Sequence, residues 1–494
     1  MTEKIDLLLI NPGDCKQIYQ GLADEFSAIE PPAFAGLFAT YARKKGYSVA
    51  IYDTPAMRAT AEETARIAAE DFDAALIAIP VYGFQPSAST QNMTSAGKIA
   101  RLVKEARPAA KVLMTGTHPA ALPEQTMLEE AVDFVCDLEG PVTIVEILKA
   151  VQAGAEDFSD VASLWWRQEG RIVAPRAPAP LVSDLDTEMP GIAWDLLPMD
   201  RYRAHNWHCF DHIGQRTPYA SIHTTLGCPY KCSFCCINAP FGKPSYRMWS
   251  PESVVREIDH LVETYGVKNI KIVDEMFVLN KRHVTGICRL LAERGHDLNI
   301  WAYARVDTVH EGFPEMLKGA GFNWLCLGIE SGSAYVRDGA GKAIHHEEII
   351  NTVRRIQAGG IRIIANFIFG LPDDDHDSMR DTLGLALELN CEFANFYSAM
   401  AYPGSPLYHT AIEEKWALPA AWHHYSQHAY ETLTLPSRHC SAAEILAFRD
   451  EAWNTYFTDP RYLEMVRETF GEDVVNHIKR MSAVPLKRKL TEAA

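Results

Sequence analysis

A chain of 494 residues, 47% hydrophobic and 22% charged, has a foldable globular composition and is too long for one core, so two or three domains are expected. A net charge of −17 argues against a broad nucleic-acid footprint, which needs clustered Lys and Arg. No apolar run approaches the roughly eighteen residues of a spanning helix, and the run over 5–10 is too short for a secretion signal. The reading is therefore a cytoplasmic chain without a membrane span.

In chain order, residues 1–152 alternate short β-rich runs (5–10, 48–52, 74–79, 111–115, 132–136) with amphipathic stretches (32–45, 61–70, 94–106). That is the pattern of a doubly wound parallel sheet. Gly and Pro fall just past the strand ends, at Asn11-Pro12-Gly13, Pro80 and Gly116, where such a sheet opens its ligand crevice. No G-x-G-x-x-G follows the first strand, so a dinucleotide site is not supported. Residues 153–215 break the rhythm: 163–168 and 171–173 around Glu169-Gly170 read as a hairpin, and the Pro- and Asp-rich 175–198 as a connector. Over 216–400 the alternation resumes, with strands expected at 219–225, 268–273, 299–304, 324–329, 361–368 and 392–398. Helices near 250–265, 281–294, 346–359 and 376–389 separate them, and six βα units fit a partial TIM-type barrel better than a closed one. The tail, 401–494, is aromatic and His-rich and then helical (442–456), which reads as a cap. The fold class is α/β throughout, with a mostly helical C-terminal region.

The chain has 11 cysteines, four of them in Gly227-Cys228-Pro-Tyr-Lys-Cys232-Ser-Phe-Cys235-Cys236, in the loop after the first barrel strand. Active sites of such barrels lie at the C-terminal strand ends. Thiolates at Cys228, Cys232 and Cys235 suit one corner of an iron–sulfur cubane. A structural zinc site would need four closed ligands, and no second C-x-x-C pair exists. A redox dithiol at Cys232 and Cys235 would leave Cys228 unused, and a ferredoxin cluster would need a fourth Cys at known spacing. Cys236 and the isolated cysteines read as packed thiols.

C-x-x-x-C-x-x-C with an aromatic, Phe234, before the third Cys resembles the radical S-adenosylmethionine (SAM) signature. Further segments narrow the match: Ser250-Pro251-Glu252, Ile272-Val273-Asp274-Glu275, Ala304-Arg305-Val306-Asp307, Gly328-Ile329-Glu330-Ser331-Gly332, Phe369-Gly370-Leu371-Pro372 and Tyr402-Pro403-Gly404-Ser405-Pro406. Pro31-Pro32, Gly116-Thr117-His118-Pro119 and Glu139-Gly140 add to it from the N-terminal half. Together they resemble the radical SAM enzymes that carry an N-terminal cobalamin-binding domain.

The resemblance implies a 4Fe–4S cluster on Cys228, Cys232 and Cys235, whose open iron chelates SAM and whose electron cleaves it to a 5′-deoxyadenosyl radical. It places Asp274 and Glu275 near the SAM amine, Arg305 at the carboxylate, Glu330 and Ser331 at the ribose, and Phe369 and Gly370 at the adenine, with Phe234 in the cluster loop. It assigns the corrin to loops 11–15, 81–87 and 116–120, including Gly13, Gly83, Gly116, Thr117 and His118. A D-x-H-x-x-G motif is absent, so His118 is not expected on the cobalt. The implied partners are a small-molecule substrate and a reductant such as flavodoxin or ferredoxin. The leading activity is cobalamin-dependent methylation of an unactivated carbon. Cyclisation, ring rearrangement or oxidation without methyl transfer is the second reading, and a non-catalytic Fe–S electron-transfer module the third. The sequence names neither substrate nor catalytic residue. Residues 423–430, rich in His and Tyr, suit either a closure over the barrel mouth or a solvated aromatic helix.

Overall fold

The computed structural model describes residues 3–23 and 25–492. The first sheet is built on β1 (Glu3–Asn11), β2 (Val49–Asp53), β3 (Phe72–Val81), β4 (Val112–Gly116) and β5 (Phe134–Cys136), all parallel, in the order β2-β1-β3-β4-β5. Leu7, Leu8, Leu9 and Ile10 are all fully buried, because both faces of a doubly wound sheet are covered. The period-two alternation sends Leu8 and Ile10 into one core and Leu7 and Leu9 into the other. The helix Ala61–Glu70 starts on a capping box of Thr60 and Glu63.

The hairpin β6 (Leu164–Gln168) and β7 (Arg171–Val173) does not stand apart in a linker: β6 pairs antiparallel with β5 and extends the sheet to seven strands. Glu169 and Gly170, at φ 51° and 79°, make the two-residue turn whose twist matches a hairpin. Trp166 and Trp165 fall on opposite faces and pack into the two cores, which holds the hairpin there. The Pro-rich segment that follows is clamped. Ile192 N–H and the Trp194 indole donate to Glu257 of the second unit, and the Tyr202 hydroxyl donates to Asp53 at the end of β2.

The second sheet contains β8 (Tyr219–Ile222), β11 (Asn269–Ile272), β12 (Asn299–Arg305), β13 (Phe322–Glu330), β14 (Arg362–Phe369) and β15 (Phe393–Ser398); β9 (Thr225–Leu226) and β10 (Arg247–Met248) form a small ribbon beside it. The six strands are parallel in the order β15-β14-β13-β12-β11-β8, and β8 does not pair with β15, so the barrel is open. The helix Pro251–Tyr265 shows why the connections form: Ser250 caps its N-terminus, Pro251 opens its first turn and Gly266 ends it at φ 64°. Helices Ala442–Thr458, Pro460–Phe470 and Glu472–Ser482 form the C-terminal unit. They close on the start of β15, where the Tyr456 and Tyr462 hydroxyls donate to the carbonyls of Cys391 and Glu392. Among the described residues no helix is long and apolar enough to cross a membrane.

Candidate active site

A cavity of about 500 Å³ lies where the C-terminal edges of the two sheets face each other. The first sheet contributes Asn11–Cys15 after β1 and Gly83–Ser87 after β3; the second contributes the cysteine loop after β9, Glu275, Arg305, Glu330 and the inner face of β13–β15.

The cysteine loop is fixed by backbone contacts. Gly227 turns at φ +86°, and a Cβ there would stand 2.7 Å from the Ser245 carbonyl oxygen, so only glycine fits. Ser233 N–H donates to the Ala340 carbonyl, and Leu407 N–H, within the Pro-Gly-Ser-Pro-Leu-Tyr motif, donates to Ser233. Phe234 wedges between two small apolar clusters, containing Leu407 and Leu371 respectively, and lines the cavity. Cys228, Cys232 and Cys235 are all unbridged and open on the cavity. Burial pushes the Cys228 thiol up to about 11 and the Cys235 thiol well above its ordinary range. Three free thiols at this spacing, with no second C-x-x-C pair in the chain, suit a cubane with one open iron better than a closed tetrahedral zinc site. Cys236 is buried yet also opens on the cavity, whereas the sequence reading makes it a packed thiol.

Arg305 ends β12 with Nη1 3.9 Å from Cys232 Sγ and its guanidinium 4.1 Å over the Tyr230 ring. Its Nε and Nη2 fork is taken by Asp307, at 3.0 Å each, so only Nη1 is turned to the cluster loop. Glu330 sits at φ 68° where the β13–β14 register shifts, and accepts a 2.5 Å hydrogen bond from the buried Lys342. Glu275 lines the cavity, and burial raises its carboxyl to about 7. Asp274 turns to a smaller neighbouring cavity and accepts from Thr224, which joins the ends of the first two barrel strands.

Other expected positions lie off the main cavity. The Ser331 hydroxyl is buried against Thr382, Phe369 packs on Phe396 and Phe448, and Gly370 donates to Asp374 beneath Ile445. In the first unit, Gly13 and Gly83 line the main cavity, and Thr117 lines the smaller one. Gly116 does not: at φ +134° a Cβ would stand 2.3 Å from the Val81 carbonyl oxygen, so the glycine serves strand packing, not ligand approach. His118, the one histidine in residues 1–152, is buried; its Nδ1 lies 3.2 Å from Thr90 Oγ1 and its ring packs edge-on to Trp422. Burial holds its imidazole neutral, at about 3. The polar wall on this side comes from Gln91 and Asn92, both buried and facing the cavity; the Asn92 side-chain carboxamide has no hydrogen-bond partner among the described residues. Carboxamides of this kind fit the neutral amide rim of a corrin. In the C-terminal unit, His428 reaches the cavity, while His423 is held by Thr94 of the helix Ala88–Ala106 and His424 packs edge-on to His423.

Sequence reasoning missed a buried ion pair on the cavity wall. Lys271, 1% exposed on β11, donates to both Glu30 oxygens at 2.9 and 3.2 Å and to the Phe84 carbonyl at 2.9 Å. Glu30 also lies 3.1 Å from His205 Nε2. The only signal was a lone cation between Ile270 and Ile272 in a buried strand.

Residues 222–386 match the family model of the radical SAM superfamily, and residues 20–148 match that of the B12 binding domain. The chain carries a B12-binding domain followed by a radical SAM domain. The two domains bring a 4Fe–4S cluster, SAM and cobalamin as cofactors. The enzyme is 29% identical to an uncharacterized methyltransferase of Pyrococcus horikoshii, over 88% of this chain and 89% of that one. It is 24% identical to the anaerobic magnesium-protoporphyrin IX monomethyl ester cyclase of Rubrivivax gelatinosus, over 81% and 69%. Its fold matches the radical SAM methyltransferase TsrM of Kitasatospora setae with TM-score 0.66 at 17% identity, over 94% and 89% of the chains. It matches the cobalamin-dependent radical enzyme OxsB with TM-score 0.70 at 15% identity, over 97% and 71%.

Proposed function

We propose that the enzyme methylates an unactivated carbon of a small-molecule metabolite. The observation that carries this is the single cavity on which both the three-cysteine loop and the C-terminal edge of the B12-binding sheet open. When bound, the cofactors supply homolytic hydrogen abstraction and a methyl group, neither of which amino-acid side chains provide.

In this reading Cys228, Cys232 and Cys235 hold the cluster, and the loop pinned by Ala340 and Leu407 fixes their spacing. Arg305 Nη1, the Glu275 carboxyl and the Glu330–Lys342 pair hold SAM beside it. Loops 11–15 and 83–87, with Gln91 and Asn92, hold the corrin, and His118 stays in its packed site. Glu30 and Lys271 pin the two units together across the cavity and hold the Phe84 loop in place. A walled cavity keeps water from reactive species. The methyltransferase among the relatives supports the transfer; the cyclase relatives favour a second reading in which no methyl leaves the cobalamin.

Holoenzyme reduced anaerobically with an added low-potential electron donor and then given SAM with a labelled methyl group is expected to label its cobalamin before any substrate is added. Retained, unlabelled cobalamin would favour the second reading, and protein that holds no cobalamin would overturn both.

A further inference from the structure

The charged side chains of the cavity are almost all neutralised from within. Lys271 spends its donors on Glu30 and Phe84, the Arg305 fork is held by Asp307, and Lys342 is held by Glu330. Arg449 is different. It lies on the helix Ala442–Thr458, is 3% exposed and lines the cavity beside Trp453. Its Nε donates to the Phe396 carbonyl at 2.7 Å and its Nη1 to Asp450 at 2.8 Å. Asp450 is shared: Arg488 takes both of its oxygens, at 2.9 and 3.0 Å, and is itself buried. Two guanidiniums therefore face one carboxylate. The Arg449 Nη2 group has no hydrogen-bond partner among the described residues. Neither has the hydroxyl of Tyr397, which lines the same stretch of wall from β15 and feels the Arg449 charge.

A buried surplus cation with an open donor is unfavourable unless an anion completes it. We propose that Arg449 and Tyr397 form an anion subsite, and that the substrate of the proposed reaction carries a carboxylate that docks there. The surplus is one charge, which a monoanion neutralises. The carboxylate of SAM does not answer for it. Arg305 stands on β12, three strands from β15, or about 14 Å at ordinary strand spacing. The cluster and the anchor thus hold opposite sides of one chamber, and a substrate fixed by its carboxylate at β15 extends its reacting carbon toward the cysteine loop. This inference rests on the proposed function for the identity of the reaction, but the anion site can be tested without turnover.

The probe is para-trifluoromethylbenzoate, with its neutral amide as control, titrated into cobalamin-loaded, cluster-reconstituted enzyme and followed by fluorine NMR. The acid is expected to bind about tenfold more tightly than the amide, the value of a charge-assisted hydrogen bond. Arg449→Met should bring acid and amide level, and Tyr397→Phe should weaken the acid alone. Asp450→Asn removes the competing carboxylate and should tighten the acid, the opposite of what a purely structural trio would give. Equal binding of acid and amide to the wild type overturns the proposal, and so does discrimination that survives Arg449→Met. Loss of SAM or cobalamin from that variant would give the anion to a cofactor and overturn the substrate assignment. Absence of 5′-deoxyadenosine from the wild type would instead sink the proposed function and leave the anion site standing.

Discussion

Replacing Lys271 with Met tests whether a buried ion pair joins the two units. The Lys271 and Glu30 side chains are 1% and 5% exposed, so little solvent screens them. Lys271→Met leaves Glu30 buried with only His205 as partner, and strands the Phe84 carbonyl. Breaking a buried pair from one side costs ~3–5 kcal/mol, whereas replacing both partners with apolar groups is near neutral. Lys271→Met is therefore expected to lose about 3–5 kcal/mol, and Lys271→Met with Glu30→Leu to recover most of it. Urea unfolding followed by tryptophan fluorescence reads this directly, because Lys271 Nζ lies 5.0 Å over the Trp301 ring. The Phe84 loop should loosen in the single variant, and cobalamin should wash out faster. A single variant within about 0.5 kcal/mol of wild type would refute the reasoning.

Arg305→Ala should weaken SAM binding by about 1.5–3 kcal/mol, the worth of a charged hydrogen bond, with iron content unchanged; equal SAM affinity would make Arg305 a structural partner of Asp307. His118→Ala should destabilise by about 2–4 kcal/mol through the hole left beside Trp422, while the absorption spectrum of bound cobalamin stays as in wild type. A spectral shift would put His118 on the cobalt. Glu257 gives a pH signature: burial raises its carboxyl to about 7, so the native state binds more protons than the unfolded chain between roughly pH 4 and 7. Its contribution to stability is present at the acid end of that window and lost as pH rises through it. Glu257→Gln should therefore gain on wild type in melting temperature from pH 5 to pH 8, and an unchanged difference would sink the assignment.

The sheets were legible because their strands are apolar on both faces: the runs around Leu7–Ile10 and Ile363–Ile364 have no other place than a covered parallel sheet. The hairpin 164–173 was visible as a hairpin, but its docking on β5 depends on where Trp165 and Trp166 land, which pattern alone does not give. At the site, the spacing of Cys228, Cys232 and Cys235 announced itself, because three thiols in eight residues have few chemical uses. Arg305 was found as a strand-end cation, but its capture by Asp307, two residues on, was not. Gly116 was visible as a required glycine, and the reason for it, the Val81 carbonyl, belongs to a neighbouring strand. Glu30 was missed because Lys271 stands 241 residues on, in the other unit; Arg449 was missed because Phe396 and the Arg488 that shares Asp450 lie 53 and 38 residues off along the chain, and nothing local marks it.

The central claim is that the thiols of Cys228, Cys232 and Cys235 hold the cluster that cleaves SAM. Its most direct test is the yield of 5′-deoxyadenosine from anaerobically reconstituted, reduced enzyme and its single Cys→Ala variants. The account predicts formation by the wild type, abolition in the Cys228, Cys232 and Cys235 variants, and near-normal yield from Cys236→Ala. Undiminished 5′-deoxyadenosine from Cys232→Ala would contradict it.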